Sequence, residues 1–407
     1  MSRILGIISE YNPFHNGHLY QLQKSKKLVN PDYSVCIMSG NFSQRGVPSL
    51  VDKWSKAEMA IKAGFDMVIE LPTVYSISSA ENFAEGAIKI LSSFSDVTLS
   101  FGSEIGSMAV LDQFADIFYR EPKEYLLILK HELEKGLSYP KARENAILFY
   151  LQDVKKYSNI LSSPNNVLAI EYLKAIKKLK SRIFPITVKR IGTDYNSLAV
   201  NGNIASATAI RKLLYNKKSI KKYVPAYSYE IIKSNLKMGK ILYTLKTYEK
   251  EIIFKLRTMS LTEILNLQDV SEGLENAIKK AANSCNNIEE LVNSIKSKRY
   301  TLSRIQRILL YALLNITKTD IIDSYKAKPY VRVLGISEKG KYLLSEMNSK
   351  KFKNPVITSV KKFLIENNNK ALENMLHKDI LATNIYTLGY ENDSKANLDY
   401  TQKLIIK

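Results

Sequence analysis

The chain has 407 residues, 45% of them apolar, with 16 Gly and 11 Pro; this excludes a disordered or fibrous protein and leaves room for two domains, each with its own core. Its two cysteines, Cys36 and Cys285, cannot build a disulfide framework, and no apolar run approaches the roughly 20 residues that cross a bilayer, so a cytoplasmic protein without a membrane segment is expected. The net charge of +21 is uneven: residues 1–100 hold 9 Lys/Arg against 9 Asp/Glu and the remainder 51 against 30, and such an excess favours a polyanionic partner, nucleic acid above all.

Ile4 to Ile8 is a short apolar run, the pattern of a strand buried on both faces of a parallel sheet. Asn12-Pro13 ends it, because proline has no ladder donor and pushes its predecessor out of helical geometry. Leu19, Leu22 and Leu28 then carry helical spacing. His15 and His18 fall in the turn and at the first helical positions. A helix N-terminus presents unpaired N–H groups and partial positive charge, which suits phosphate, and two imidazoles add donors for charge that grows in a transition state. Gly17 between them lets a ligand approach the backbone. Half a zinc site is the competing reading of such a pair, but no cysteine or third histidine lies near to complete it.

His15-Asn16-Gly17-His18 resembles the H-x-G-H signature of the nucleotidyltransferase superfamily. The longer string from Glu10 to Tyr20, EYNPFHNGHLY, resembles the bacterial tRNA(Met) cytidine acetate ligase family.

Further on, Tyr33 to Ser39 reads as a second strand that runs into a turn-rich loop, Ser39 to Gly46 (SGNFSQRG), where Arg45 could hold phosphate or acetate. Asp52 to Ala63 is a helix, Met67 to Leu71 a strand, Ala80 to Leu91 a helix, and Val97 to Phe101 a strand ending in Gly102-Ser103-Glu104. This alternation predicts a parallel sheet with helices on both faces. Gly102 reads either as an ordinary strand-end turn or as a place where backbone approaches a nucleotide. Residues 108–181 read as mainly helical, with Ser163-Pro164-Asn165-Asn166 opening one helix as a capping arrangement. Ile186 to Ile191 is a strand with Lys189 and Arg190 at its end. Ser206, Thr208 and Arg211 open a helix where hydroxyls, backbone N–H groups and a guanidinium can meet phosphate oxygens. That S-x-T-x-I-R pattern resembles the second nucleotide-binding motif of adenylyltransferases, with Ala205 where a β-branched residue is usual.

From Arg211 to Lys250 there are 11 Lys/Arg and 2 Asp/Glu, interleaved with Tyr215, Tyr223, Tyr227, Tyr229, Tyr243 and Tyr248. Cations for a phosphate backbone among rings for unpaired bases are expected of an RNA surface. Lys217, Lys218, Lys221 and Lys222 share one face if that segment is helical. Helices over Glu251 to Thr258 and Glu289 to Leu314 follow, then strand, helix and strand over Tyr330 to Ile336, Lys339 to Met347 and Pro355 to Val360.

The resemblance extends through Asp52 to Trp54, Ile69 to Pro72, Phe101 to Glu104, Ser303 to Leu310 and Pro329 to Gly335, and so covers essentially the whole chain. It implies an α/β fold: a Rossmann-like parallel-sheet nucleotidyltransferase domain over residues 1–215, followed by a basic, mainly helical tRNA-binding domain over 216–407 with a small α/β element. It implies that acetate and ATP, with Mg²⁺, give acetyladenylate and pyrophosphate, and that the acetyl group passes to N4 of the wobble cytidine of elongator tRNA(Met). His15 and His18 would be catalytic. ATP would be held by Ile7, Ile8, Ser9, Glu10, Tyr11, Asn12, Pro13, Phe14, His15, Asn16, Gly17, His18, Leu19, Tyr20, Gly102, Asn165 in preference to Asn166, Arg190, Ser206, Thr208 and Arg211. The four lysines would meet tRNA. No protein-held metal and no protein partner is implied. A small-molecule adenylyltransferase is typically a single α/β domain, which disfavours that alternative; a non-catalytic RNA-binding protein is disfavoured by the intact histidines, Ser206 and Thr208.

Overall fold

The computed structural model describes residues 2–153, 157–191, 202–271, 273–349 and 352–407. The apolar runs of the first half become parallel strands: β1 (Arg3–Ser9), β2 (Tyr33–Ser39), β3 (Met67–Leu71), β4 (Asp96–Ser103) and β5 (Phe184–Lys189). β1 is central and buried along Ile4–Ile8, as an unbroken apolar run requires. Side chains alternate across it: Ile4 and Ile8 enter one apolar cluster, Leu5 and Ile7 the other. The first cluster is closed by helices such as Ala80–Leu91 and Pro164–Lys178, and the second by Asn16–Val29, Lys53–Lys62 and Ala207–Tyr215.

Three further strands, β6 (Val331–Ile336), β7 (Val356–Ile357) and β8 (Ile405–Ile406), complete the order β5-β4-β1-β2-β3-β6-β7, with β8 also paired to β6. β6 runs antiparallel to β3, while β7 and β8 run parallel to β6. The small α/β element expected of the second half is therefore part of the same sheet. Its strands extend the first half's own sheet, because the apolar β3 would otherwise leave an unpaired edge. Strands from both sides of the boundary expected near residue 215 thus share one sheet. Most of the second half is helical, as expected, and its helices continue the first cluster through residues such as Leu309, Tyr311 and Leu376.

Candidate active site

A cleft of about 660 Å³ opens over the carboxyl ends of β1, β2 and β4, where parallel sheets place ligands. The chain leaves β1 through Tyr11, at φ +46°, and a cis Asn12–Pro13 bond. Asn12 fixes this exit: its Oδ1 accepts the Leu50 N–H at 2.7 Å, and its carbonyl accepts from Arg211 Nη1 at 2.7 Å.

The following helix, Asn16–Val29, is capped by its own histidines. Gly17 N–H donates to His15 Nδ1 at 3.1 Å, and His15 N–H donates to His18 Nδ1 at 3.2 Å. The rings stack with centroids 3.6 Å apart. With both Nδ1 atoms accepting, the neutral imidazoles carry their protons on Nε2. Neutrality has a cause: burial first, then the charges of Arg190 and Arg211, push His15 down to about 3. Burial, His15 and Arg190 push His18 well below the usual range. Both rings line the cleft as N–H donors.

On the β4–β5 side, Gly102 is closely overlaid by Arg190, whose Cγ would lie 3.3 Å from any Cβ added there. Arg190 is held by its own N–H donating to Ser103 O at 3.0 Å. The asparagine pair divides its work. Asn166 is buried and accepts the N–H groups of Glu104 and Ile105 at 2.9 and 3.2 Å, so it braces the loop after β4. Asn165 lines the cleft and donates to Glu104 Oε1 at 2.6 Å. Ser206 Oγ caps the Ala207–Tyr215 helix through the Ala209 N–H at 3.1 Å, leaving its hydroxyl proton to donate. Thr208 Oγ1 accepts from Arg211 Nη2 at 3.2 Å.

On the β1–β2 side, the Gln44 N–H donates to Glu10 Oε1 at 2.6 Å. Lys56, fully buried, donates to the carbonyls of Glu10, Ser39 and Gly40 at 3.1, 2.7 and 2.6 Å and so ties the ends of β1 and β2 together. Burial lowers it to about 8, with Glu10 and Glu70 opposing. Gly46, at φ +75°, lies against the Leu302–Leu314 helix so closely that a Cβ would sit 2.5 Å from Arg307 N. The second half thereby reaches the cleft with Ser303, Gln306 and Arg307.

Of the predicted nucleotide residues, the cleft wall includes Ile8 to Asn12, His15, His18, Gly102, Asn165, Arg190, Ser206, Thr208 and Arg211. Gly17 and Tyr20 line a small adjoining recess. Ile7, Pro13, Phe14, Asn16 and Leu19 line neither. Ile7 points to the opposite face of β1 from Ile8, and Phe14 is fully buried beneath the turn. Asn16 instead donates to Asn203 O at 2.8 Å and Lys222 O at 3.0 Å, and its N–H donates to Tyr223 O. The basic segment is thus docked against the start of the histidine helix. That segment is not helical: Lys217 has φ +56° and residues 218–220 have no regular structure, so the condition under which the four lysines would share a helix face is not met. A left-handed residue two positions past the Ala207–Tyr215 helix stops its continuation. All four lysines are exposed on the resulting loop. Sequence reasoning missed Gln21, Tyr172, Gln306 and Arg307 as cleft residues, since each comes from a helix whose register only packing sets.

The chain matches the HIGH Nucleotidyl Transferase family over residues 2–401. It is 48% identical over 405 residues, 99% of each chain, to the tRNA(Met) cytidine acetate ligase of Thermoanaerobacter sp. strain X514. It is 42% identical to that of Acetivibrio thermocellus, over 99% of this chain and 100% of the relative. Among solved structures it superposes on apo Thermotoga maritima TmcAL with a TM-score of 0.93 at 33% identity, covering 99% of both chains. It superposes on the same protein bound with alpha-thio ATP with a TM-score of 0.90.

Proposed function

The chain belongs to the HIGH nucleotidyl transferase family, among the tRNA(Met) cytidine acetate ligases, and on that premise we propose that it activates acetate with ATP and acetylates N4 of the wobble cytidine of elongator tRNA(Met). An acetate oxygen attacks the α-phosphorus, the bond to the bridging oxygen breaks, and pyrophosphate leaves with the electron pair. The cytidine amine then attacks the acetyl carbon, AMP leaves, and the amine gives up a proton. Cytidine N4 is a poor nucleophile, which is why a mixed anhydride is the fitting donor.

The observation that carries this reading is the paired, neutral imidazoles at a helix N-terminus, each with Nδ1 occupied and Nε2–H free to meet phosphate oxygens. Donors fixed in place before charge develops need no reorganisation in the transition state. Arg190 and Arg211 supply the cations, and Gly102, Asn165, Ser206 and Thr208 complete the nucleotide side. Among the described residues no group of three or more His, Cys, Asp or Glu could hold a metal ion. The hydroxyl and guanidinium groups facing the cleft suit a nucleotide whose own phosphates chelate Mg²⁺, which would add charge neutralisation there. No described helix is long and apolar enough to cross a membrane, and a tRNA substrate accords with a cytoplasmic enzyme. The exposed lysine loop beside Asn16 is the tRNA surface in this reading.

ATP–pyrophosphate exchange with and without acetate tests the first step, and transfer of labelled acetate to elongator tRNA(Met) tests the second. Exchange indifferent to acetate would remove the proposed substrate. A small-molecule adenylyltransferase is disfavoured because Ser303, Gln306 and Arg307 of the second half line the same cleft.

A further inference from the structure

Acetyl transfer needs a proton acceptor. As cytidine N4 attacks the acetyl carbon, a C–N bond forms, the bond from that carbon to the phosphate oxygen breaks, and AMP leaves with the electron pair. The nitrogen must then shed a proton, and a positioned base speeds that loss.

The groups lining the cleft restrict where the proton can go. His15 and His18 each accept a backbone N–H on Nδ1 and carry a proton on Nε2, so neither ring offers a free lone pair. Tyr11 and Tyr172 are kept protonated, by burial first. The arginines are cations, and the other polar side chains of the wall are hydroxyls and amides, which are very weak bases. Among the described residues that line the cleft, Glu10 is the one carboxylate.

Its position suits the role. Glu10 directly follows β1, the central strand, and is only half-buried. Oε1 accepts the Gln44 N–H at 2.6 Å, which anchors the carboxylate, and no described residue donates to Oε2. Helices on opposite faces of the sheet feel its charge. Burial and then Glu10 push Tyr172 of the Pro164–Lys178 helix upward. Burial lowers Arg211 of the Ala207–Tyr215 helix to about 10, with Glu10 opposing and Arg45 adding to the fall. Arg45 feels it too, as does Lys56, which also answers to Glu70, Cys36 and Asp52. The carboxylate thus stands over the end of the central strand, within electrostatic reach of the Arg211 guanidinium.

We propose that Glu10 is the general base of acetyl transfer, its Oε2 taking the proton that N4 loses as the C–N bond forms and AMP departs. Water then takes the proton from the carboxylic acid. This rests on the reading of the chain as an acetyl-transferring ligase. Contact with the adenylate, or with magnesium on ATP, is the competing role for the same side chain.

The test supplies preformed acetyladenylate to the full chain and follows single-turnover transfer to elongator tRNA(Met), which removes the ATP step. Glu10→Gln keeps the shape and an acceptor for the Gln44 N–H while removing the base. Circular dichroism melting checks that it and Glu10→Ala fold. The maximal transfer rate of both should fall about 100-fold or more, with the acetyladenylate concentration at half-maximal rate near wild type. Added formate, a small carboxylate, should restore part of the rate in Glu10→Ala. A wild-type maximal rate that needs more acetyladenylate would make Glu10 a binding contact and overturn the proposal. So would a loss that formate leaves untouched, which marks a structural support. Wild-type transfer in both variants would also overturn it, leaving the departing phosphate as proton acceptor. A wild type that moves no acetyl group from acetyladenylate to tRNA would instead overturn the proposed function itself.

Discussion

Lys53 Nζ lies 2.7 Å from Asp399 Oδ1, and both side chains are completely buried although 346 residues separate them. Glu70 and Arg332 complete the group: Lys53 meets Glu70 at 3.0 Å, Arg332 meets Glu70 at 3.0 Å, and Arg332 also bonds Asp399. Two cations and two carboxylates pair directly, and they tie β3 and β6 to Lys53 and Asp399. Burial alone would raise the Asp399 carboxyl, but Lys53 and Arg332 outweigh it and hold it at about 2.

Removing one member leaves a buried charge without its partner. Asp399→Ala or Lys53→Met should each cost about 3–5 kcal/mol, read as a fall in Tm. The double variant keeps the charges balanced and should cost less than the two single substitutions together. Strict additivity in that cycle would show that the pair does not act as a unit.

His15→Ala and His18→Ala should each lower acetate-dependent exchange by about 100-fold or more, the usual effect of removing a donor to developing charge. Near wild-type exchange in both would remove their catalytic role.

The same histidines predict a pH profile. His15 is held neutral down to about 3 by burial and then by Arg190 and Arg211, so exchange should show no acid-side inflection near the ordinary histidine value of about 6.5. Stability should behave differently. Between about 6.5 and about 3 the unfolded chain binds a proton at this position that the folded chain does not. Stability contributed there is full above that window and falls as pH falls through it. A histidine-like break near 6.5 in the exchange rate would contradict the neutral pair.

Gly102→Val places a branched side chain where a Cβ alone would lie 3.3 Å from Arg190 Cγ. It should push Arg190 off the cleft and obstruct the nucleotide, lowering ATP affinity about 10-fold or more. Arg190→Ala should weaken ATP in the same direction. Calorimetry showing wild-type affinity in both folded variants would remove these residues from the nucleotide site.

Reversing charge at Lys217, Lys218, Lys221 and Lys222 alters exposed side chains but leaves the Lys222 carbonyl that receives Asn16. Acetyladenylate formation should stay near wild type, and acetyl transfer to tRNA should fall. The salt dependence of tRNA binding should flatten, by about 0.7 to 0.9 in log–log slope for each phosphate the protein no longer neutralises. Failure of both half-reactions would mean that the loop supports the histidine helix and does not carry RNA.

Local chemistry was enough to read much of this protein from its sequence. The unbroken apolar run Ile4–Ile8 determined a doubly buried strand, because only a central parallel strand hides both faces. The histidines beside Gly17 marked a helix start, and Ser206 with Thr208 marked another. What lies across the cleft was decided by tertiary structure. No periodicity brings Gln306 and Arg307 to the cleft that Glu10 also lines, and no local signal pairs β6 with β3 or Asp399 with Lys53. On a helix the four lysines would share one face, yet a left-handed turn at Lys217 and the Asn16 hydrogen bonds made that segment a loop. Such interactions join residues far apart in the chain, and their free energy appears only when packing excludes water from both partners at once. A strand or a cap is settled within a few neighbouring residues, whereas the buried ion group exists only in the folded chain.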